Sequence, residues 1–393
     1  MSKDTDFSVF LKDTVQIKSL IDPLTDIRKD PEIKLADIIV SILLMPLYRI
    51  TSLLGLDRQN RKQRFKRLFG SNRRMLASDS TISRLLRWLK AQQISILLLR
   101  LQILFEEQDL SRKQLVENGP YRRVGIVDGS FMGSHYLTVL TLHGKIDYPV
   151  IIKACENRGK ELPMSMQMLT EAQQQLGSQF PELCLFDSLY FNKTAFDTVR
   201  NFGSHILVKS RDPFREVLQD AQRLFTAKTK AIDPIPVTEG FERDRWCDYS
   251  IKVTSGEFAG YPILIAHVSE FYPKRNKDQH VDFWVACTDL SLSAEELREA
   301  AHLRWHIENN IFKRLSKQAG TKRFYFRDPR PFFNMLRLFC AAVTIYHIYL
   351  YLLQRNQKDY ESLRDGIKPT WDNIFSQIEE RFEQNQEQVF VFG

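Results

Sequence analysis

Residues 122–130 read RRVGIVDGS, and this stretch decides the fold of the chain. The apolar run Val124–Val127 predicts a short buried strand that ends in an Asp-Gly pair at Asp128. Two more strand-like runs, 136–142 and 148–154, follow it and are separated by a turn-prone His-Gly-Lys sequence. The region therefore predicts three short strands, with an acidic residue at the end of the first.

Beyond these strands the pattern alternates between helix and strand. Residues 162–177 and 192–201 predict helices, whereas Leu183–Phe186 and His205–Val208 predict strands. Such alternation is typical of an α/β layer whose sheet is at least partly parallel.

Asp128 and Asp187 share one local design, because each follows a short apolar strand and precedes small residues. At the carboxyl ends of neighbouring parallel strands, both side chains would reach the crevice where α/β sheets bind ligands. Aspartate is also common at strand ends and turns for structural reasons alone. For this pair the two interpretations are evenly balanced.

The regions before and after this α/β layer have different sequence patterns. Residues up to the break Asn118-Gly119-Pro120 read as helical throughout, which predicts an all-α N-terminal region. Between residues 234 and 288, strand-like runs without intervening helices predict a mostly antiparallel, β-rich insertion. Helical texture returns at Ser293. We therefore expect five segments, with the bounds 1–118, 119–233, 234–288, 289–345 and 346–393.

Positive charge is concentrated in one segment of this 393-residue chain. The net charge is +8 for the whole protein and +9 for residues 57–90 alone. A basic patch on a neutral body is typical of a polyanion binder, and we expect DNA to bind here. A solvated helix face is the alternative, and a membrane surface is disfavoured because no strongly apolar face accompanies the charge. The expected DNA-binding residues are Arg61, Lys62, Arg64, Lys66, Arg67, Arg73 and Arg74.

Several other classes of protein are disfavoured by the sequence. Five scattered cysteines without a CxxC pair indicate reduced thiols in a cytoplasmic protein and no zinc knuckle. The apolar stretches 38–47 and 339–353 are shorter than the ~18–20 residues of a membrane span, so we expect buried helices there. No phosphate-binding or dinucleotide-binding glycine motif occurs.

The helix predicted over residues 293–317 carries two charges on its apolar face. On a helical wheel, Arg304 and Glu308 fall within about 40° of Leu297, among apolar residues. Buried charges are paired or bind metal, so either an Arg304–Glu308 ion pair or a metal site is expected. His302 and His306 fall on the opposite face, where we expect contact with solvent or DNA.

The three acidic residues together indicate hard-cation chemistry. Asp128, Asp187 and Glu308 would supply oxygen ligands without histidine or cysteine, a set that suits Mg²⁺ or Mn²⁺. Two such ions can activate an attacking oxygen and stabilise a leaving oxygen in phosphoryl transfer. Joined to the basic segment, this predicts chemistry on a nucleic-acid backbone.

The order VDGS, LFDSLYF, a β-rich insertion and LSLSAEELREAAHLRWHIENNIFKRLSK resembles a DDE transposase of the insertion-sequence four family. The likeness spans roughly residues 78–345, and the Arg-Trp-x-Ile-Glu core is its most specific part. It implies a ribonuclease-H-like mixed sheet with helices and a β-rich insertion before the helix of the catalytic glutamate. By that likeness Asp128, Asp187 and Glu308 are the catalytic and metal-binding residues.

The third motif of that family is Tyr-x2-Arg-x3-Glu-x6-Lys, and this chain departs from it twice. Arg304 matches the motif arginine, which contacts DNA backbone in the family, but Ala301 and Leu315 occupy the tyrosine and lysine positions. Lys313 and Lys317 lie nearby and are the candidate replacements. The departures concern the handling of the 5′ phosphate and leave the catalytic acids unchanged.

The resemblance implies a nucleoid-associated transposase, of bacterial type, that acts on the inverted repeats at the ends of its element. Water activated by Mg²⁺ would cleave a phosphodiester, and the freed 3′-OH would then attack target DNA. Pairing of two ends implies a homodimer in the active complex. The alternatives are a DNA-binding regulator without cleavage, a nuclease of the same fold without strand transfer and, far behind, a glycosidase.

Overall fold

The computed structural model describes residues 10–48, 50–62, 65–66, 75–226, 237–242, 247–273, 279–312, 315–316 and 326–356. Within these ranges the chain has the mixed α/β architecture predicted from the sequence, built on one nine-stranded sheet. The α-helices are α1 (Ile17–Ile21), α2 (Leu35–Leu47), α3 (Leu53–Asn60), α4 (Asp79–Trp88), α5 (Ala91–Glu107), α6 (Glu161–Leu176), α7 (Lys193–Asn201), α8 (Glu216–Thr226), α9 (Ala294–His306) and α10 (Pro329–Asn356).

The sheet runs in the spatial order β5-β4-β3-β6-β7-β11-β10-β9-β8. Strands β3, β4 and β5 are antiparallel, β3 pairs with β6 and β6 with β7 in parallel, and β11 pairs antiparallel with β7. The bounds are β3 (Val124–Met132), β4 (His135–His143), β5 (Asp147–Cys155), β6 (Leu183–Phe186), β7 (His205–Ser210), β8 (Val237–Glu242), β9 (Cys247–Phe258), β10 (Tyr261–Tyr272) and β11 (Gln279–Cys287). The partly parallel sheet expected from the sequence is confirmed.

The strand that carries Asp128 is longer than predicted. β3 does not end at Val127 but continues to Met132, because β4 pairs with it along its whole length. The chain reverses instead at Gly133 and Ser134, which both adopt the positive φ angles of a tight turn. The prediction that the strand ends at the Asp-Gly pair was thus wrong.

The region predicted as a β-rich insertion is antiparallel, as expected, and it extends the central sheet. Its strands β8 to β11 form consecutive antiparallel pairs, and Trp284–Cys287 of β11 pair with residues 207–210 of β7. The segment bounds remain predictions. Among the described residues before Asn118, the only strand is β1 (Lys113–Gln114), which pairs with β2 (Tyr121–Arg122), and the other regular elements are helices.

The two apolar stretches form buried helices, as predicted. α2 packs against α10, and α10 also contacts α4, α5 and β5. Residues Pro329–Tyr349 are long and apolar enough to cross a membrane, but 94% of the most apolar part is buried inside the molecule. The helix α10 therefore forms part of the core of the protein.

All five cysteines are buried and free of disulfide bonds.

The helix after the β-rich region changes its geometry partway along. Ser293 and Glu296 form a reciprocal capping box at the start of α9, as the sequence pattern predicts. α9 ends at His306, and residues Ile307–Phe312 form a π-helix. A π-helix has a longer turn than an α-helix, so a single helical wheel does not describe the whole segment.

Candidate active site

Asp128, within β3, and Asp187, directly after β6, lie at the same level of two neighbouring strands. The last parallel pair between β3 and β6 joins Ile126 to Leu185, and each aspartate lies two residues beyond it. Parallel strands are about 4.8 Å apart, so the register brings the two residues close together across the sheet. The juxtaposition predicted from the sequence is therefore present for these two acids.

Asp128 is buried and forms an ion pair with an arginine side chain. Its Oδ2 accepts a hydrogen bond from Arg304 Nη1 at 3.1 Å, and its Oδ1 accepts one from the Gly129 amide at 2.9 Å. The two charged side chains are 12% exposed for Arg304 and 9% for Asp128. Arg304 comes from α9, so the helix that follows the β-rich region reaches the predicted acidic site.

Asp187 occupies the start of a short turn after β6. It caps a 3-10 turn over Ser188–Tyr190, and its Oδ1 accepts a hydrogen bond from the Leu189 amide at 2.9 Å. Its side chain is half-buried. The turn carries Tyr190 back into the core, three residues after the acid.

Tyr190 links Asp187 to a further acid that sequence reasoning missed. Its hydroxyl donates to Glu161 Oε1 at 3.1 Å and accepts from Ser165 Oγ at 2.8 Å. Ser165 in turn accepts from Thr138 Oγ1 at 2.7 Å. Burial raises the pKa of the Tyr190 hydroxyl, and the charges of Glu161 and Asp187 raise it further. Tyr190 therefore stays protonated and serves as a donor.

Glu161 lies directly over the residue next to Asp128. A Cβ atom placed on Gly129 would come within 2.3 Å of the Glu161 carboxyl carbon, so a larger residue would have to displace that carboxylate. Thr138, at the other end of the hydrogen-bond chain, is the cross-strand partner of Gly129. A glycine inside a strand is the one sequence signal for such a close approach, and the sequence-based prediction placed Gly129 after the end of the strand instead.

The remaining predicted site residues are only partly described. Glu308 lies in the π-helix Ile307–Phe312, but its side chain is outside the described residues, as is that of His306. Lys313 and Lys317 lie outside them entirely. The alternative pairing of Arg304 with Glu308 is thus not tested, although the ion pair between Arg304 and Asp128 is present.

His302 is not exposed, contrary to the prediction. It is buried, packs edge-on against Phe283 and donates from Nε2 to Glu270 Oε1 at 2.6 Å. The wheel failed because α9 is covered on this side by β10 and β11, so both faces of the helix are buried. A single-sided apolar stripe describes only a helix at the surface of a protein.

Glu270 itself has three hydrogen-bond donors. Besides His302, Arg298 Nε lies 2.6 Å from Oε1 and Tyr272 hydroxyl 2.7 Å from Oε2. Burial raises the pKa of the Glu270 carboxyl, but the bonds from His302 and Tyr272 and the charges of His302 and Arg298 outweigh burial and lower the pKa to about 2. This acid is charged at neutral pH.

The basic segment is described in part. Arg61 and Lys62 are exposed, Lys66 is half-buried, and Arg61 pairs with Asp57 at 2.7 Å. Four of the expected DNA-binding residues lie outside the described ranges: Arg64, Arg67, Arg73 and Arg74. The exposed side chains Arg58, Arg84, Arg87 and Lys90 add charge on α3, on α4 and at the residue directly before α5. α3 and α4 contact each other, so their charges share one region of the molecule.

Two exposed aromatic rings stand at the tip of the β3–β4 hairpin. Phe131 and Tyr136 are cross-strand partners with ring centroids 4.8 Å apart, and Phe131 is 58% exposed. Phe131 is three residues from Asp128 on the same strand. Exposed aromatic rings of this kind offer a surface on which nucleic-acid bases can stack.

Among the side chains that the structure describes, no group of three or more His, Cys, Asp or Glu is arranged to hold a metal ion. The expected third ligand, Glu308, is not among those side chains. The donors that are described, the carboxylates of Asp128 and Asp187, are the hard oxygen ligands that Mg²⁺ and Mn²⁺ prefer. The chemistry of this set fits the predicted ions.

Comparisons with models of known protein families and with curated protein sequences found no match for this chain.

Proposed function

We propose that this chain is a DNA transposase of an insertion sequence, which cleaves phosphodiesters at the element ends and transfers the 3′-OH into target DNA. The observation that carries the proposal is that Asp128 and Asp187 lie side by side on neighbouring parallel strands, with Arg304 bound to Asp128. A basic segment elsewhere on the same chain supports a polyanionic substrate.

The proposal includes a ribonuclease-H-like fold. In its favour, three antiparallel strands are followed by two parallel strands, with helices α6 and α7 as the crossovers. Asp128 lies within the first strand of that unit, and Asp187 directly follows the fourth. The β-rich strands lie in sequence between the second aspartate and α9, which agrees with the segment order that the resemblance implies.

In this proposal Asp128, Asp187 and Glu308 hold two Mg²⁺ or Mn²⁺ ions. When bound, such ions supply activation of the attacking oxygen and stabilisation of the leaving oxygen. Arg304 would neutralise a phosphate of the DNA, which would compete with Asp128 for the guanidinium group. Glu161 adds negative charge behind Gly129, and Tyr190 orients it. Positioning and charge neutralisation carry most of such chemistry.

The DNA would bind through residues outside the acidic site as well. The basic segment 57–90 would grip the phosphate backbone of the element end, and Lys313 and Lys317 would contact DNA near the reacting phosphate. The rings of Phe131 and Tyr136 would stack on a base near the scissile bond. Two ends held together require a homodimer in the synaptic complex.

The test is strand cleavage by the full-length protein on DNA that carries the inverted repeats flanking its reading frame. Asp128→Asn should reduce Mg²⁺-dependent cleavage by at least 1000-fold, because it removes a charged ligand while DNA binding remains intact. Asp289→Asn is the matched control, since Asp289 is also a buried aspartate paired with an arginine, Arg122 at 2.6 Å. Cleavage that persists in Asp128→Asn would exclude the assigned site.

A second assay separates a transposase from a nuclease of the same fold. A precut end with a free 3′-OH is supplied together with a target plasmid, and joined products are scored on a gel. Joined product is expected for a transposase, whereas cleavage without joining indicates a nuclease. DNA binding with neither reaction indicates a regulator.

A further inference from the structure

A buried carboxylate on β10 accepts hydrogen bonds from the helix that carries Arg304. The side chain of Glu270 is fully buried, with 0% exposed surface, and it accepts from three donors at 2.6 to 2.7 Å. Two of these donors, Arg298 and His302, lie one turn apart on α9. Because a charged carboxylate can only accept hydrogen bonds, His302 Nε2 must carry the proton in this contact.

Arg298 of α9 also contacts β8 and β9, the last two strands at one edge of the sheet. Arg298 Nη1 forms an ion pair with Glu242 of β8 at 2.9 Å. The guanidinium also lies over the ring of Tyr249 on β9, 4.1 Å from its centroid. Strands β8, β9 and β10 therefore all hold α9 through Arg298, and β10 holds it again through His302.

On another side of the helix, α9 meets the candidate active site. Arg304 follows His302 by two residues, which places the two side chains about 200° apart around an α-helix. Arg304 reaches Asp128 on β3, while His302 reaches Glu270 on β10. The last α-helical turn is thus fixed from both sides, immediately before the π-helix that begins at Ile307.

We propose that Glu270 is a positioning residue for the candidate active site, because its bonds to Arg298 and His302 set the rotation of α9 that brings Arg304 to Asp128. The proposal rests on the proposed function for its effect on catalysis. Its structural part, the dependence of the α9 geometry on Glu270, stands independently of that function.

The experiment compares the full-length protein with Glu270→Gln, which keeps the side-chain volume and removes the charge. DNA cleavage by Glu270→Gln should fall at least tenfold in kcat, with the Kd for element-end DNA unchanged, at a temperature well below its own Tm. Asp289→Asn is again the matched control, because it weakens a buried ion pair that does not involve α9. A purely structural ion pair would leave the cleavage rate of the folded variant at the wild-type value, and that result would overturn the proposal.

Hydrogen exchange gives a readout that does not depend on catalysis. Amides of residues 301–312 should exchange at least tenfold faster in Glu270→Gln, while those of β3 and β6 keep their protection. If the wild-type protein cleaves no DNA, the proposed function fails, and faster exchange in this segment would still support the positioning role. Unchanged exchange would overturn it in either case.

A second pair of variants guards against misfolding of Glu270→Gln. His302→Gln keeps a donor for Glu270 and should retain most of the cleavage rate, whereas His302→Ala removes the donor and should lose it. Equal rates for these two variants, both folded, would contradict the proposal.

Discussion

At the scale of single residues, the contact between Gly129 and Glu161 defines the back of the candidate site. The strand leaves room for the carboxylate only because residue 129 has no side chain. Tyr190 holds that carboxylate from the other side with a hydroxyl that remains protonated. One small residue therefore permits an acid from α6 to lie beside Asp128.

Gly129→Ala should destabilise the fold by about 1 kcal/mol, because the new methyl group displaces the Glu161 carboxyl group from its hydrogen bond with Tyr190. The double variant Gly129→Ala/Glu161→Ala should be more stable than the sum of the single effects predicts, since the overlap is gone. Urea unfolding of all three variants measures this coupling.

Gly159→Ala is a suitable control for that cycle. A Cβ at position 159 meets only Asn157 Oδ1 at 3.5 Å, an ordinary contact. This variant should not couple to Glu161→Ala. Strictly additive effects for Gly129→Ala and Glu161→Ala would contradict the close approach.

At the scale of elements, α9 connects the β-rich strands to the acidic site. Its N-terminus is set locally by the Ser293 capping box, but its burial on both sides depends on strands from two parts of the chain. Glu270 contributes to that burial through charge as well as hydrogen bonds. Its pKa, about 2 against the usual 4.5, makes the contribution depend on pH.

The sign of this pH dependence follows from the lowered pKa of Glu270. A carboxyl group with a lower pKa in the folded state stabilises the fold above its unfolded pKa, and the stabilisation is lost as pH falls toward the folded pKa. The loss should amount to roughly 3 kcal/mol between pH 6 and pH 2. The free energy of unfolding in urea, measured over this range, should therefore fall more steeply for the wild type than for Glu270→Gln.

Glu107→Gln provides the matched control, because Glu107 is an exposed glutamate on α5. Its pH dependence should parallel that of the wild type. The other groups around Glu270 are Tyr272, Cys247, Arg298 and His302, and all of them remain in both variants. Equal slopes for Glu270→Gln and the wild type would contradict the lowered pKa.

At the scale of the whole molecule, the acidic site and the basic segment are separate features of one chain. The acids belong to the sheet, whereas the described charges Arg58, Arg61, Arg84 and Arg87 belong to α3, α4 and the residue after α3. Binding of the DNA backbone and chemistry at one phosphate would then be performed by different elements. Substitutions in the basic segment should weaken DNA binding without altering the acidic residues of the candidate active site.

Affinity for duplex DNA should fall steeply with salt. For about six phosphate contacts, the slope of log K against log salt should be near −5. Arg84→Gln and Arg87→Gln should each reduce that slope by about 1. Fluorescence anisotropy at several salt concentrations measures it.

Arg223→Gln is the control, since Arg223 is an exposed arginine on α8, away from the basic segment. Its slope should equal that of the wild type. A slope near zero for the wild type would show that residues 57–90 do not bind DNA.

The sequence alone determined the strands β3 to β7, the helices between them and the start of α9, because hydrophobic periodicity and capping are local properties. It also predicted that Asp128 and Asp187 lie together on neighbouring parallel strands, and the register of β3 with β6 agrees. Only the tertiary structure decided that β3 runs past Asp128, that His302 is buried and that Glu161 lies against Gly129. Each of these depends on a partner distant in sequence, namely β4, Glu270 and α6, and no local pattern specifies which surface a residue will meet.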